Sequence, residues 1–276
     1  IFHVDCDAGE INNRVTDCYP IVADLADFFD LATRYYNPAD FSARPEWEAE
    51  LAASRVEWAD TKEQPDVVGI NPNEFMHVLS RGAGQQAVGY LADVGNHQQW
   101  AAQSLELGAK QVFYTSAGLG SMGYALPAAL GLCFAAGRKP VVMIAGDGGF
   151  QMNIQELQTI AHHKLPIKLV VVNNNCLGMI RQFQDSYFEG RYQSTFWGYS
   201  APDFIKIADA YGIAAHSVSD AAGLEEAVNW LWANPDEPAL LQVMVDSHTN
   251  CYPKLAFGRP ITEMEPFAKP LEMEGT

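Results

Sequence analysis

Basic residues are scarce in this chain of 276 residues, where 17 Lys and Arg stand against 34 Asp and Glu and the formal net charge is −17. Binding to a nucleic-acid backbone requires clustered Lys and Arg that neutralise phosphates, so the composition argues against a nucleic-acid partner. Long apolar runs are absent as well, because none reaches the roughly 18 residues that a membrane-spanning helix requires. We therefore expect neither a nucleic-acid partner nor a membrane partner.

Cysteines are few and scattered, at positions 6, 18, 133, 176 and 251, and they form no Cys-x-x-Cys pair. Zinc sites need closely spaced ligands and disulfide frameworks favour an even number, so free thiols in a reducing cytoplasm are the expected state. The sequence shows no signal-peptide pattern and opens on Ile1 rather than Met, which indicates a fragment or a processed product.

Four segments are predicted along the chain. Residues 1–34 combine a β-prone run with a helical pattern, are too few to bury a core, and resemble the end of a preceding domain. Residues 35–70 form a polar linker with a surface helix over 46–60. Residues 71–248 form the main domain, and residues 249–276, with four prolines, form an extended C-terminal arm.

Within the main domain, short apolar runs alternate with longer helical patterns. The runs are 90–94, 111–115, 141–145, 167–172, 213–218 and 239–245, and the helical patterns are 97–107, 121–136, 154–164, 202–211 and 221–233. Continuous apolar strands separated by helices are typical of a parallel sheet covered on both faces. We predict a doubly wound α/β fold whose ligand lies beyond the carboxyl ends of the strands.

The strongest local motif is Gly146-Asp147-Gly148-Gly149, which directly follows the apolar run 141–145, and a helix is expected a few residues later. Glycines allow backbone N–H groups to approach an anion closely. A carboxylate next to a phosphate requires a cation between them, and Mg²⁺ suits that position. The motif therefore predicts an anion site that includes a metal ion.

A second polar run, Asn173-Asn174-Asn175, follows the next apolar run, and 24 residues separate Gly148 from Asn173. That spacing holds one helix and one strand, so both motifs are expected at the same edge of the sheet. Carboxylate, amide and backbone carbonyl oxygens are hard ligands suited to Mg²⁺. The alternative is that the glycines form only a turn and the asparagines only cap the next helix.

These two motifs at this spacing resemble the signature of thiamine-diphosphate-dependent enzymes. The longer segments around them, from Gly146 to Leu157 and from Asn173 to Ile180, are similar to the C-terminal cofactor-binding part of the acetolactate synthase large (catalytic) subunit. The resemblance implies that Mg²⁺ binds the side chains of Asp147 and Asn174 and the main-chain oxygen of Cys176. It also implies a diphosphate site formed by backbone groups of Gly146, Gly148, Gly149, Gly178 and Met179.

Two further stretches agree with that family. Residues 94–103 resemble a strand-to-helix turn in which Gly95, Asn96 and His97 meet the diphosphate. Residues 115–124 resemble the loop beneath the aminopyrimidine ring. By this resemblance the Gly120 carbonyl accepts a hydrogen bond from the 4′-amino group, and Met122 holds the cofactor in its bent shape.

The resemblance implies a cofactor-dependent decarboxylation of a 2-keto acid such as pyruvate, followed by carboligation to a second carbonyl, as in branched-chain amino acid biosynthesis. The activating glutamate of this family lies in an N-terminal domain of the same or a neighbouring subunit, and no residue of this chain replaces it. A complete protein would be about twice as long and would form a homodimer or homotetramer. Some members carry FAD in the middle domain, so FAD in the full-length protein stays open.

The sequence defines the acceptor substrate less well than the cofactor site. Phe183 stands where the biosynthetic enzymes commonly have Trp, and we expect Phe183 and Met179 to face the substrate. Pyruvate, 2-ketobutyrate, an aldehyde and a keto-sugar remain candidate acceptors. The alternative functions are a decarboxylase or lyase of the same family and a catalytically silent cofactor-binding subunit. A nicotinamide site is disfavoured, because no acidic residue follows the Gly-x-Gly-x-x-Gly run at 118–123 before Asp147.

Overall fold

Two separate packing units, Ile1–Glu57 and Trp58–Thr276, make up the chain in a computed structural model that describes residues 1–37, 42–64 and 66–271. The division falls inside the segment predicted as a linker, and the boundaries of the four predicted segments stay a prediction. No helix among these described residues has the length and apolar character needed to cross a membrane.

The first unit contains two short parallel strands and two surface helices. Strands β1 (Phe2–Asp5) and β2 (Tyr19–Val22) pair in parallel, and helices α1 (Leu25–Tyr35) and α2 (Pro45–Glu57) follow. The Asp24 side chain caps α1 by accepting from the Ala26 amide. The apolar spacing of residues 21–29 predicts a helix, but Ile21 and Val22 pair with β1 and the helix begins only after the Asp24 cap.

The second unit is built on a six-stranded sheet in which every pairing is parallel. Its strands run in the order β4-β3-β5-β6-β8-β7. The bounds are β3 Gly89–Ala92, β4 Val112–Thr115, β5 Val141–Gly146, β6 Ile167–Asn173, β7 Ala214–Val218 and β8 Ala239–Met244. They agree within about two residues with the six predicted apolar runs. A short antiparallel pair, β9 (Lys254–Leu255) with β10 (Met264–Glu265), lies near the end of the chain.

Helices cover both faces of this sheet. Their bounds are α3 Pro72–Ala83, α4 Asn96–Ser104, α5 Ala125–Ala135, α6 Asp147–Met152, α7 Leu157–His163, α8 Gly178–Tyr187, α9 Phe204–Ala210 and α10 Leu224–Leu231. Alternate strand residues enter two cores: Tyr90 and Val142 pack with α3 and α10, whereas Leu91 and Met143 pack with α5 and α9. The predicted doubly wound α/β fold is confirmed.

The strand order places a crevice between β3 and β5. The chain runs from β3 to β4 toward one edge of the sheet, and then from β5 to β6 toward the other edge. Neighbouring strands whose connections leave in opposite directions form a crevice at their carboxyl ends, where doubly wound proteins bind ligands. We therefore expect a ligand-binding site among the residues that follow β3 and β5.

A buried lysine lies near the amino end of β6, away from that crevice. The Lys168 ammonium donates to the carbonyl oxygens of Asn234, at 2.7 Å, and Glu237, at 2.6 Å, and lies 5.5 Å from the Trp232 ring centroid. Burial lowers the pKa of Lys168 to about 8, although the negative charges of Asp236 and Glu237 act to raise it. The side chain thus ties the loop before β8 to the middle of the sheet.

This burial predicts a pH-dependent stability. The folded chain releases the Lys168 proton near pH 8, whereas the unfolded chain keeps it up to about pH 10.5, so the unfolded state binds more protons between those values. The free energy of unfolding of the wild type, relative to Lys168→Met, should therefore rise across that interval. Urea unfolding at a series of pH values measures the difference, with the exposed Lys110→Met as control. A difference in the free energy of unfolding that does not change with pH would contradict the prediction.

Candidate functional site

A cavity of about 250 Å³ opens at the crevice between β3 and β5. Four segments form its walls: the residues after β3, the loop before α5, the turn after β5 and the turn after β6. All predicted cofactor residues line it, namely Gly95, Asn96, His97, Gly120, Met122, Gly146, Asp147, Gly148, Gly149, Asn174, Cys176, Gly178 and Met179. The other lining residues are Val94, Trp100, Val172, Leu177 and Ile180.

The turn after β5 brings a buried carboxylate into this cavity. Helix α6 begins at Asp147 itself and was not predicted, whereas the helix expected a few residues later is present as a 3-10 turn over Ile154–Glu156 followed by α7. Asp147 is only 2% exposed, and its Oδ2 atom has no hydrogen-bond partner among the described residues. Burial raises the pKa of Asp147 to about 6. An unpaired, buried carboxylate oxygen is costly in a folded protein, and a bound cation would remove that cost.

The turn after β6 arranges the asparagine run. The Asn173 side chain accepts from the Asn175 amide at 2.9 Å, and the Asn174 side chain accepts from the Cys176 amide at 3.3 Å. Asn175 adopts a left-handed conformation with φ 52°, which asparagine tolerates better than most residues. Helix α8 follows with Leu177 at its N-cap and without a side-chain cap. The asparagines therefore shape their own turn and do not cap the helix.

Cys176 lines the cavity, and its thiol contacts a neighbouring loop. The thiol donates to the Ser247 carbonyl oxygen, with 3.5 Å between the heavy atoms. Burial raises the pKa of the Cys176 thiol to about 11, so the sulfur stays protonated at neutral pH. A role in metal binding would therefore fall to the carbonyl oxygen of Cys176.

The first turn of α4 contributes two buried polar side chains. Asn96 and His97 are 4% and 5% exposed. Within the part of the chain that the structure describes, neither amide atom of Asn96 nor Nε2 of His97 has a hydrogen-bond partner. Burial lowers the pKa of His97 well below its usual value, although the Asp93 carboxylate opposes the shift. A neutral His97 and the Asn96 amide are thus left to hydrogen-bond a polar ligand.

The electrostatics of the cavity favour an anion that brings a cation with it. The N-termini of α4 and α8, at Asn96 and Gly178, both border the cavity, and helix N-termini attract negative charge. Lys and Arg are absent from the lining residues that the structure describes. A highly charged anion here would therefore need a metal ion beside Asp147.

A Mg²⁺ ion fits the oxygen atoms available. Asp147, Asn174 and Cys176 all line the cavity, and a carboxylate, an amide and a backbone carbonyl supply hard oxygen ligands. In residues 1–37, 42–64 and 66–271, no group of three or more His, Cys, Asp or Glu side chains could hold a metal ion. The remaining ligands would have to come from the anion or from water, as is usual for Mg²⁺.

Sequence reasoning missed two polar residues near this cavity. Asp93, the last residue before Val94, is 1% exposed and accepts three backbone hydrogen bonds. A carboxylate directly after a buried strand is a signal that could have pointed to it. The Tyr199 hydroxyl is buried near Asp147, and burial together with that carboxylate raises the pKa of Tyr199. The hydroxyl also lies 3.5 Å from where a methyl group on Gly148 would stand. Tyr199 comes from a loop distant in sequence, so no local motif indicates it.

The two predicted substrate residues lie in different places. Met179 lines the cavity, whereas Phe183 is not among the lining residues. Phe183 stacks on Tyr187 with ring centroids 4.3 Å apart, and it also contacts the Phe257 ring. The Lys254 ammonium lies 5.7 Å from the Phe183 centroid. The role of Phe183 in acceptor choice stays a prediction.

Comparison with known proteins agrees with the geometry. The sequence profile described as "Thiamine pyrophosphate enzyme, C-terminal TPP binding domain" matches residues 93–243. A solved structure, the thiamine diphosphate-dependent 4-hydroxybenzoylformate decarboxylase of Rhodococcus jostii RHA1, has TM-score 0.68 and 24% identity. The match covers 89% of this chain and 44% of that one. At this identity the likeness shows the fold alone.

Curated relatives share the name acetolactate synthase. The large subunit from Porphyra purpurea is 37% identical over 277 residues, which cover 98% of this chain and 45% of the relative. The isozyme 2 large subunit from Escherichia coli (strain K12) is 34% identical over 264 residues, covering 96% and 46%. The chain thus spans less than half the length of these relatives. With the matched profile covering more than half of its residues, the chain belongs to the thiamine pyrophosphate enzyme family and contains the C-terminal cofactor-binding domain of that family.

Proposed function

We propose that this chain binds thiamine diphosphate with Mg²⁺ and serves an acetolactate synthase-like enzyme that decarboxylates a 2-keto acid, with pyruvate as the first candidate. The two-carbon unit would then be joined to a second carbonyl compound. The observation that carries the proposal is the convergence of Asp147, Asn174 and Cys176 on one cavity with unpaired polar atoms. Similarity to acetolactate synthase large subunits supports the choice of reaction.

Residues of this chain would hold the cofactor at both of its ends. Asp147, Asn174 and the Cys176 carbonyl would bind the metal, and the Asn96 amide, His97 and backbone groups of the turns at 146–149 and 178–179 would bind the diphosphate. The Gly120 carbonyl and the Met122 side chain would contact the rest of the cofactor. When bound, thiamine diphosphate supplies a nucleophilic carbon and an electron sink for decarboxylation. The contribution of the protein is orientation and exclusion of water.

The site would be completed by another part of the protein. Asp147 is the only carboxylate among the lining residues in the described part of the chain, and its proposed role is metal binding. We expect the activating glutamate from an N-terminal domain of the same or a neighbouring subunit, in a cytoplasmic homodimer or homotetramer. The cavity volume of about 250 Å³ lies just below the roughly 300–1,000 Å³ of small-molecule sites, which supports a second wall. Bound FAD would be detected by the visible absorbance of the full-length protein.

Calorimetric titration of the 276-residue chain with thiamine diphosphate, with and without Mg²⁺, tests the cofactor proposal directly. We expect binding that requires the metal, because the lining residues provide no Lys or Arg to neutralise the diphosphate. Thiamine without its diphosphate is the matched ligand control and should bind weakly in both conditions. Equal affinity for thiamine diphosphate with and without Mg²⁺ would contradict the metal assignment.

The reaction is tested on the full-length protein with pyruvate as substrate. A five-carbon product supports carboligation, and acetaldehyde with CO₂ supports the alternative of a decarboxylase or lyase. Absence of turnover by a protein that binds cofactor and metal supports the silent-subunit alternative. Competition between pyruvate and 2-ketobutyrate as acceptors then identifies the second substrate.

A further inference from the structure

The buried carboxylate of Asp93 joins two segments that the proposed function assigns to different ends of the cofactor. Its Oδ1 atom accepts from the amides of Val94, at 2.8 Å, and Gly123, at 2.9 Å. Its Oδ2 atom accepts from the Ala125 amide at 2.9 Å, at the first residue of α5. Both oxygens are therefore committed to backbone N–H groups, and two of the three donors belong to the end of the loop that carries Gly120 and Met122.

The same carboxylate lies against the turn after β5. A methyl group on Gly149 would stand 2.6 Å from Asp93 Oδ1, closer than real contacts allow. Gly149 follows Asp147 and Gly148 in the turn that lines the cavity. Asp93 itself is not among the lining residues, so it borders both segments from behind the cavity wall.

A second side chain also holds the end of this loop, because Asn153 Nδ2 donates to the Gly123 carbonyl oxygen at 2.7 Å, but Asp93 is the side chain that accepts from the Gly123 and Ala125 amides. Tyr124 occupies the N-cap position of α5 and provides no side-chain cap, so the Asp93 carboxylate satisfies the first amide of that helix. An ionised carboxylate accepts through both oxygens and binds N–H groups more strongly than a neutral amide does. An asparagine would present an NH₂ group to one of these donors and would lose at least one hydrogen bond.

We propose that Asp93 is a positioning residue that fixes the loop carrying Gly120 and Met122 against the diphosphate-binding turn, so that both ends of thiamine diphosphate are held at once. The inference rests on the proposed function, because it presupposes that these segments bind one cofactor. It leads to a specific expectation about ligands. Loosening the loop should weaken binding of the whole cofactor. Binding of inorganic pyrophosphate with Mg²⁺ should stay unchanged, because pyrophosphate would contact the diphosphate site and not this loop.

The test compares wild type with Asp93→Asn, which preserves the shape of the side chain. We expect the affinity for thiamine diphosphate with Mg²⁺ to fall about 10–100-fold, the range for lost supporting contacts around a metal site. The affinity for Mg²⁺-pyrophosphate should stay within about twofold of wild type by the same reasoning. Hydrogen exchange should show faster exchange of the Gly123 and Ala125 amides. A merely structural role would lower both affinities together.

A matched control and a second variant complete the experiment. Asp203 caps α9 by accepting from the Lys206 amide at 3.1 Å, so Asp203→Asn changes the same chemistry away from the cavity and should alter neither affinity. If Asp93→Asn does not fold, Asp93→Ser avoids the misplaced NH₂ group and should show the same selective loss. Unchanged thiamine diphosphate affinity, or equal loss for both ligands, overturns the inference. A wild type that binds neither ligand overturns the proposed function, and the inference with it.

Discussion

Replacing Asp147 by alanine is expected to abolish Mg²⁺-dependent binding of thiamine diphosphate and, in the same protein, to raise the stability of the cofactor-free chain. The carboxylate is 2% exposed, and its Oδ2 atom has no partner among the described residues. Desolvating such a group without a partner costs about 1–3 kcal/mol. Alanine removes that cost together with the proposed metal ligand, so binding and stability should change in opposite directions.

Calorimetry and urea unfolding of the same preparations measure both effects. The control is Asp209→Ala on α9, which removes an equal charge from an exposed position. This control should leave cofactor affinity unchanged and stability within about 0.5 kcal/mol, as is usual for surface substitutions. An Asp147→Ala protein that binds the cofactor as the wild type does would disprove the metal assignment. Lower stability without a change in binding would assign Asp147 a purely structural role.

Much of the second unit could be predicted because its central strands β3, β5 and β6 are buried on both faces. The run 141–145 is apolar throughout and the run 167–172 is interrupted only by Lys168, and runs of this kind separated by helices indicate strands of a parallel sheet. The predictions were weaker where local signals conflict. Gly146-Asp147-Gly148-Gly149 has the composition of a turn, yet helix α6 begins at Asp147, because the packing of Phe150 into the core outweighs the low helix propensity of glycine.

The cavity was more predictable from sequence than its surroundings. The residues that line it follow strands directly, at Gly95, Asp147 and Asn174, so their convergence follows from the parallel topology. Tyr199 reaches Gly148 from a loop whose path depends on tertiary packing, and periodicity carries no information about that path. Phe183 was less predictable still. Its helix α8 was not among the predicted helical patterns, and its stacking on Tyr187 follows from side-chain packing that sequence spacing does not determine.

Gly178→Ala is expected to weaken Mg²⁺-dependent cofactor binding by about 10–100-fold, because it displaces a proposed metal ligand and leaves the ligand residue itself unsubstituted. A methyl group on Gly178 would stand 2.5 Å from Asn174 Nδ2 and 3.3 Å from Asn96 Nδ2. The Asn174 amide is the end of a short side chain and would have to move. Its Oδ1 atom, which would be a metal ligand, would then move as well.

The folded chain should tolerate this substitution, which separates the binding effect from unfolding. Gly178 is the first residue of α8, where alanine is favoured over glycine by up to about 1 kcal/mol. Gly131→Ala in α5 is the matched control, since a methyl group there meets nothing within 4 Å. Both variants should therefore unfold at or above the wild-type denaturant midpoint, and only Gly178→Ala should lose affinity. The closer of the two displaced amides belongs to Asn174 and the other to Asn96. An unchanged affinity would mean that neither amide is needed in its observed position, and Asn174 would no longer stand as a metal ligand.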